Sequence, residues 1–193
     1  MKNRHVIGIV FIFIMSICAP AFSLSNIYLD VNGAYTDAGD LEKQFGAGLT
    51  VAYALHENVN AFFRTIFSSR TEDPNTPQEV EYDYTMYLAG FQYRLRISES
   101  PVFWTANIAA GWTQGKLDFS ETDIHYSDDG IAVAITTGFL VEATQNISAY
   151  IEAGYHYATY SHELSEADVK GFQLLLGIRF TVWGKNRPIF EGY

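Results

Sequence analysis

His156 is followed by Tyr157 and Ala158, with Ser161 and Glu163 a few positions further on. An imidazole there could act as a general base, but nucleophilic catalysis needs a hydroxyl within its reach and a carboxylate to orient it. Ser161 and Glu163 fall out of register with His156, so no catalytic residue is expected. A second group is ionic: Asp30, Arg64, Arg94, Glu142, Glu152 and Arg179 each interrupt a stretch of apolar or small residues. Such charges either line an ion path or pair with one another, and with His156 they are expected to form a network of paired charges. A third group is oxygen ligands, because 16 of the 22 acidic residues fall in four polar segments, 36–44, 69–83, 116–130 and 161–168. Carboxylates gathered at one rim could hold Ca²⁺ or Mg²⁺. No spacing matches a calcium loop, however, and solvated loops are commonly acidic, so neither a metal nor a cofactor is expected.

The elements that position these residues alternate with a period of two, which belongs to strands with two different faces. The clearest stretch is 131–157. Ile131, Val133, Ile135, Thr137, Phe139 and Val141 alternate with Ala132, Ala134, Thr136, Gly138, Leu140 and Glu142 and then, after Ala143 to Asn146, Ile147, Ala149, Ile151, Ala153, Tyr155 and Tyr157 alternate with Ser148, Tyr150, Glu152, Gly154 and His156. So short a break between two long strands makes an antiparallel hairpin, since a parallel connection needs a dozen or more residues. The same unit recurs along the chain. Strands are expected at Asn26–Tyr35, Phe45–Leu55, Val59–Ser68, Tyr84–Leu95, Val102–Gln114, Ile131–Glu142, Ile147–Tyr157 and Val169–Trp183. Their connections alternate long and short, and Pro74 and Pro77 keep the second long one out of any sheet interior. Eight antiparallel strands with short turns at one end and long polar loops at the other predict an all-β, up-and-down barrel.

Volume decides which face is outside. The interior of eight strands is only just wide enough for side chains to fill it, whereas the apolar face carries roughly forty side chains, many of them aromatic or branched. The opposite face is rich in Gly, Ala, Ser and Thr, the sizes a narrow lumen takes. The apolar face therefore meets lipid, and a closed sheet satisfies every backbone group where there is no water. Tyr53, Tyr93, Trp104, Trp112, Tyr155 and Tyr157 lie near strand ends and fit aromatic girdles at the two membrane interfaces.

The first residues have the character of an export signal: Lys2 and Arg4, an apolar run from Val6 to Ile17, and small residues at Ala21 and Ser23. That run is well short of the roughly twenty residues a helix needs to span a bilayer. Residues 1–23 are thus expected to be removed, with the barrel at 24–183 and a periplasmic tail at 184–193. Removal also takes Cys18, the only cysteine, and two basic residues, leaving 10 Lys and Arg against 22 Asp and Glu, a net of −12. Such acidity argues against nucleic acid as a partner.

With its closing strand QLLLGIRFTVW, carrying Gly177 and alternating aromatics, the pattern resembles the small eight-stranded outer-membrane barrels, the superfamily of the outer-membrane protein A transmembrane domain, the X protein and the opacity proteins. The chain departs from it by continuing ten residues past Trp183. The resemblance implies a bacterial outer-membrane location and a monomer. It implies outer-membrane lipid, lipopolysaccharide, the assembly machinery and an extracellular ligand at the loops as partners. A structural or adhesin-like role follows, with a narrow solute channel as the alternative and a lipid A-modifying enzyme behind it. Lipid A deacylases are similar small barrels with a serine two residues after the histidine. Here that position is Ala158.

Overall fold

The computed structural model describes residues 26–41, 43–74, 76, 79–119, 124–160 and 169–184. The expected signal at 1–23, the last nine residues of the tail, and Ser161 and Glu163 lie outside them. Eight strands follow in chain order: β1 (Ile27–Asp37), β2 (Lys43–His56), β3 (Val59–Glu72), β4 (Val80–Arg96), β5 (Val102–Phe119), β6 (Ile124–Glu142), β7 (Ile147–Tyr160) and β8 (Val169–Trp183). Each pairs antiparallel with its neighbour, and β1 also pairs with β8, so the sheet closes. The fold is an eight-stranded antiparallel up-and-down barrel.

Alternation decides the faces. Along β6, Ile131, Val133, Ile135, Phe139 and Val141 are exposed while Ala132, Ala134, Thr136, Leu140 and Glu142 are buried. Exposure reaches 68% at Ile131 and 65% at Leu176, whereas Asp30 is 0% and Arg179 3% exposed. This is the reverse of a water-soluble fold, where large apolar residues go inside and charges stay out. Among the described residues no helix is long and apolar enough to cross a membrane. A barrel crosses with strands, and closure leaves no open edge along the paired wall.

Two expectations need correction. The polar segments are less loop and more strand than their composition predicts: β5 and β6 run on to Phe119 and start at Ile124, so residues 120–123 alone connect them. Seven of the sixteen acidic residues assigned to loops, Asp37, Glu72, Glu81, Asp83, Asp118, Asp128 and Asp129, lie on strands. Outside the bilayer both faces of a strand meet water, so the apolar alternation that marks a strand is lost there while the backbone pairing continues. The lumen also holds more than small residues, because Tyr28, Phe62, Ile66, Tyr84, Met86, Leu88, Leu140 and Leu175 are all buried within it. Gly90, Gly111 and Gly138 stand at inward positions where a Cβ would strike the backbone of the adjoining strand.

Candidate functional site

The ladder between β1 and β8 sets Asp30 directly opposite Arg179. The two carboxylate oxygens of Asp30 accept from Nε and Nη2 of Arg179, both at 2.8 Å, in the two-pronged geometry that guanidinium and carboxylate favour. Across the lumen Arg64 Nη2 lies 2.9 Å from Glu152 Oε2, and its Nε donates to Thr50 Oγ1 at 3.0 Å. All four ionic side chains are nearly fully buried.

Gln92, on β4, joins the two pairs. Its Oε1 accepts from Arg179 Nη1 at 2.8 Å and from Asn60 Nδ2 at 3.0 Å, and its Nε2 donates to Glu152 Oε1 at 3.3 Å. Asn107 donates to Thr136 Oγ1 at 2.8 Å, and the Thr136 hydroxyl reaches Glu152 Oε2 at 3.4 Å. Asp30, Arg179, Gln92, Glu152 and Arg64 thus form one connected bar across the barrel. Sequence reasoning missed Gln92, since a neutral amide at an inward position carries no signal of its own. Its place two residues before Arg94, in the same inward phase, is the one cue available.

Arg94, Glu142 and His156 lie apart from this bar. Arg94 sits at the short-turn end, where its Nη2 donates to the Glu57 carbonyl at 3.0 Å and its guanidinium lies over the rings of Tyr28 and Phe103. Glu142 lies 3.9 Å from Arg96, a residue the sequence reading passed over. His156 points into the lumen and is 1% exposed, packed against Tyr84 with ring centroids 5.8 Å apart, and neither imidazole nitrogen has a hydrogen-bond partner. Its separation from the charges follows from its height: it pairs with Ala134 and Gly171, several residues along β7 from Glu152. Among the described residues no hydroxyl engages it as a nucleophile would. No group of three or more His, Cys, Asp or Glu that could hold a metal ion occurs among them either.

The six aromatics picked from the sequence all lie on the outer wall, at two levels. Tyr53, Tyr93 and Trp104 are near the short turns, with Tyr93 and Trp104 edge to face at 6.5 Å. Trp112, Tyr155 and Tyr157 stand higher, Trp112 stacked on Tyr87 at 5.1 Å. Trp183, 70% exposed at the end of β8, belongs with the lower level by its pairing with Ile27.

A closed antiparallel wall, apolar outside and ionic within, defines a transmembrane β-barrel. The chain belongs to the outer membrane protein beta-barrel domain family, whose model matches residues 9–180, and it is thereby a barrel of the bacterial outer membrane. Solved structures share the fold at low identity. Neisserial surface protein A is 15% identical with a TM-score of 0.61, covering 81% of this chain and 96% of its own. Ail, the attachment invasion locus protein of Yersinia pestis, crystallised with the heparin analogue sucrose octasulfate, is 20% identical with a TM-score of 0.53, covering 81% of this chain and 97% of its own. A major outer membrane protein of Thermus thermophilus is 10% identical with a TM-score of 0.53, covering 81% of this chain and 98% of its own. No curated protein matches the chain in sequence.

Proposed function

We propose that this chain is a non-enzymatic outer-membrane barrel that presents its long-loop end to a basic partner outside the cell. One observation carries the reading. The strand extensions of β4, β5 and β6 bear Glu81, Asp83, Asp118, Asp128 and Asp129 against one lysine, Lys116, among the described residues. Charge of one sign on a projecting sheet speeds encounter with a partner of the other sign and rejects partners of the same sign. The Ail structure contains a polysulfated sugar. An acidic outer end opposes such a ligand here and favours a lysine-rich or arginine-rich surface. The lumen supports the same reading, because the ionic bar fills the space a solute would need. In this account the chain is exported with cleavage near Ser23, inserted by the assembly machinery as a monomer, and leaves residues 184–193 in the periplasm.

The test is binding of polylysine and of heparin to the barrel reconstituted in neutral-lipid nanodiscs. Polylysine is expected to bind and to weaken steeply between about 0.05 and 0.5 M salt as screening shortens the reach of the charges. Heparin is expected not to bind. Heparin binding without polylysine binding would reverse the proposal.

A further inference from the structure

On the outer wall, where β2 to β5 pass the upper aromatic level, a recess of about 270 Å³ opens outward. Phe45 and Phe67 line it, with Ser69, Asp83, Thr85 and Lys116 among its polar groups. The ladder explains the mixture. One row sets Phe45, Ser69, Asp83 and Lys116 side by side, and two rows nearer the membrane centre comes Thr65, Tyr87 and Trp112. Below the recess lies an aromatic shelf, with Tyr87 stacked on Trp112 and Phe67 edge to face with Tyr87 at 6.5 Å. The outward face therefore changes from aromatic to polar within the recess itself.

Its height identifies what meets it. Lys116 is twelve residues along β5 from Trp104 in the lower girdle. At about 3.3 Å per residue and a tilt of about 40°, that is about 30 Å along the membrane normal, just beyond an apolar band of about 25 Å. The recess sits at the level of the outer-leaflet headgroups. Its size is a little below the roughly 300–1,000 Å³ of pockets that enclose a whole small ligand, so it suits the head of a larger amphiphile.

Charge narrows the class. The three lysines among the described residues, Lys43, Lys116 and Lys170, are all exposed at the outer ends of β2, β5 and β8 and share the strand phase of the exposed Phe45, Trp112 and Phe172, so each faces outward. The described arginines take other places: Arg64 and Arg179 in the lumen, Arg94 and Arg96 at the short-turn end, and Arg70 bound to Glu72 at 2.6 Å. Lysine is a compact point charge suited to phosphate, and two of these stand on β2 and β5, the strands that bound the recess.

We propose that the recess holds the phosphorylated head of an outer-leaflet glycolipid. Lys116 takes a phosphate, Asp83, Ser69 and Thr85 take sugar hydroxyls, and the acyl chains run down over Phe67, Tyr87 and Trp112. Asp83 faces Lys116 directly across the strands, so a sugar bearing both hydroxyls and phosphate satisfies both groups where a bare anion would not. The site shares Asp83 and Lys116 with the acidic outer end, but its test reads lipid retained in detergent and not binding of a basic partner, so either reading can fail without the other.

The experiment counts lipid retained on the detergent-purified full-length barrel by native mass spectrometry. The probes are bisphosphorylated lipid A, dephosphorylated lipid A and inorganic phosphate. Bisphosphorylated lipid A is expected to be retained about tenfold more than the dephosphorylated form, the factor a charge-assisted contact supplies. Lys116→Ala is expected to abolish that preference while leaving the heat-shift transition unchanged. Equal retention of the two lipids by the unaltered protein, unchanged preference in Lys116→Ala, or displacement by equimolar inorganic phosphate would each overturn the proposal. The first comparison needs no variant, so a failure of Lys116→Ala to fold does not shelter the idea.

Discussion

Four buried charges and one amide carry the tightest chemistry of this lumen. Taking Asp30, Arg179, Arg64 and Glu152 out of water costs several kcal/mol per ion, and pairing repays it only when every lone pair and proton finds a partner. Gln92 adds to that pairing, taking a third Arg179 donor and giving one to Glu152. Removing one member strands another. Glu152→Ala leaves Arg64 with Thr50 alone among its hydrogen-bond partners here, and is expected to destabilise the barrel by about 3–5 kcal/mol. Gln92→Ala removes one bond to a guanidinium and one to a carboxylate and is expected to cost about 1.5–3 kcal/mol. Since both changes act on Glu152, their effects should not add. A heat-shift gel of the folded barrel checks all three statements, and an unshifted transition in Glu152→Ala would count against the pairing. The inward direction of these residues is legible in the sequence, because the period of two places Arg64, Glu152 and Arg179 on the small-residue face. Their connection is not. It depends on which side chains meet across the lumen, and strand periodicity carries no information about that distance.

Strands of this barrel are recognisable only where their two faces meet different media. Within the bilayer the contrast is sharp, and Val169–Trp183 agrees with β8 at both ends. Above it both faces are wet, so Lys116 to Gly130 has loop composition although most of it is a paired hairpin. Legibility therefore ends where lipid ends. Glycine marks a different constraint, the curvature of the wall. Gly138 faces Glu152 across β6 and β7, and a Cβ there would overlap the carbonyl oxygen of Ile151 and lie 2.7 Å from Glu152 Cα. Both obstacles are backbone, so no side-chain rotation relieves them. Gly138→Ala is expected to push the strands apart, displace Glu152 from Arg64 and cost about 1–3 kcal/mol, as overpacking does. Combined with Glu152→Ala, the loss should be smaller than the sum, since the displaced partner is already gone. Additive shifts in the heat-shift gel would separate the glycine from the ionic bar.

The whole molecule is a wall with its solvent preference reversed and its axis filled. From the short-turn end inward come Tyr28, Phe103 and Leu140, then the ionic bar, with Ile66, Met86, Leu88 and Leu175 beside and beyond it. An ion crossing this column must shed its water between apolar side chains and then displace a guanidinium from its carboxylate. Either step alone is costly in a medium of low dielectric. The barrel reconstituted in a planar bilayer is therefore expected to show no resolved conductance steps in about 1 M KCl, a salt concentration that screens exposed charges over about 3 Å and leaves buried pairs intact. Removing charge without removing bulk should not change this, so Glu152→Gln is expected to remain closed while losing stability. Steps of one size that scale with salt, in the unaltered protein, would mean that the pairs part readily and that the lumen is a path. The alternative of a narrow channel would then take precedence, and display of the acidic outer end would lose the support it draws from a sealed interior.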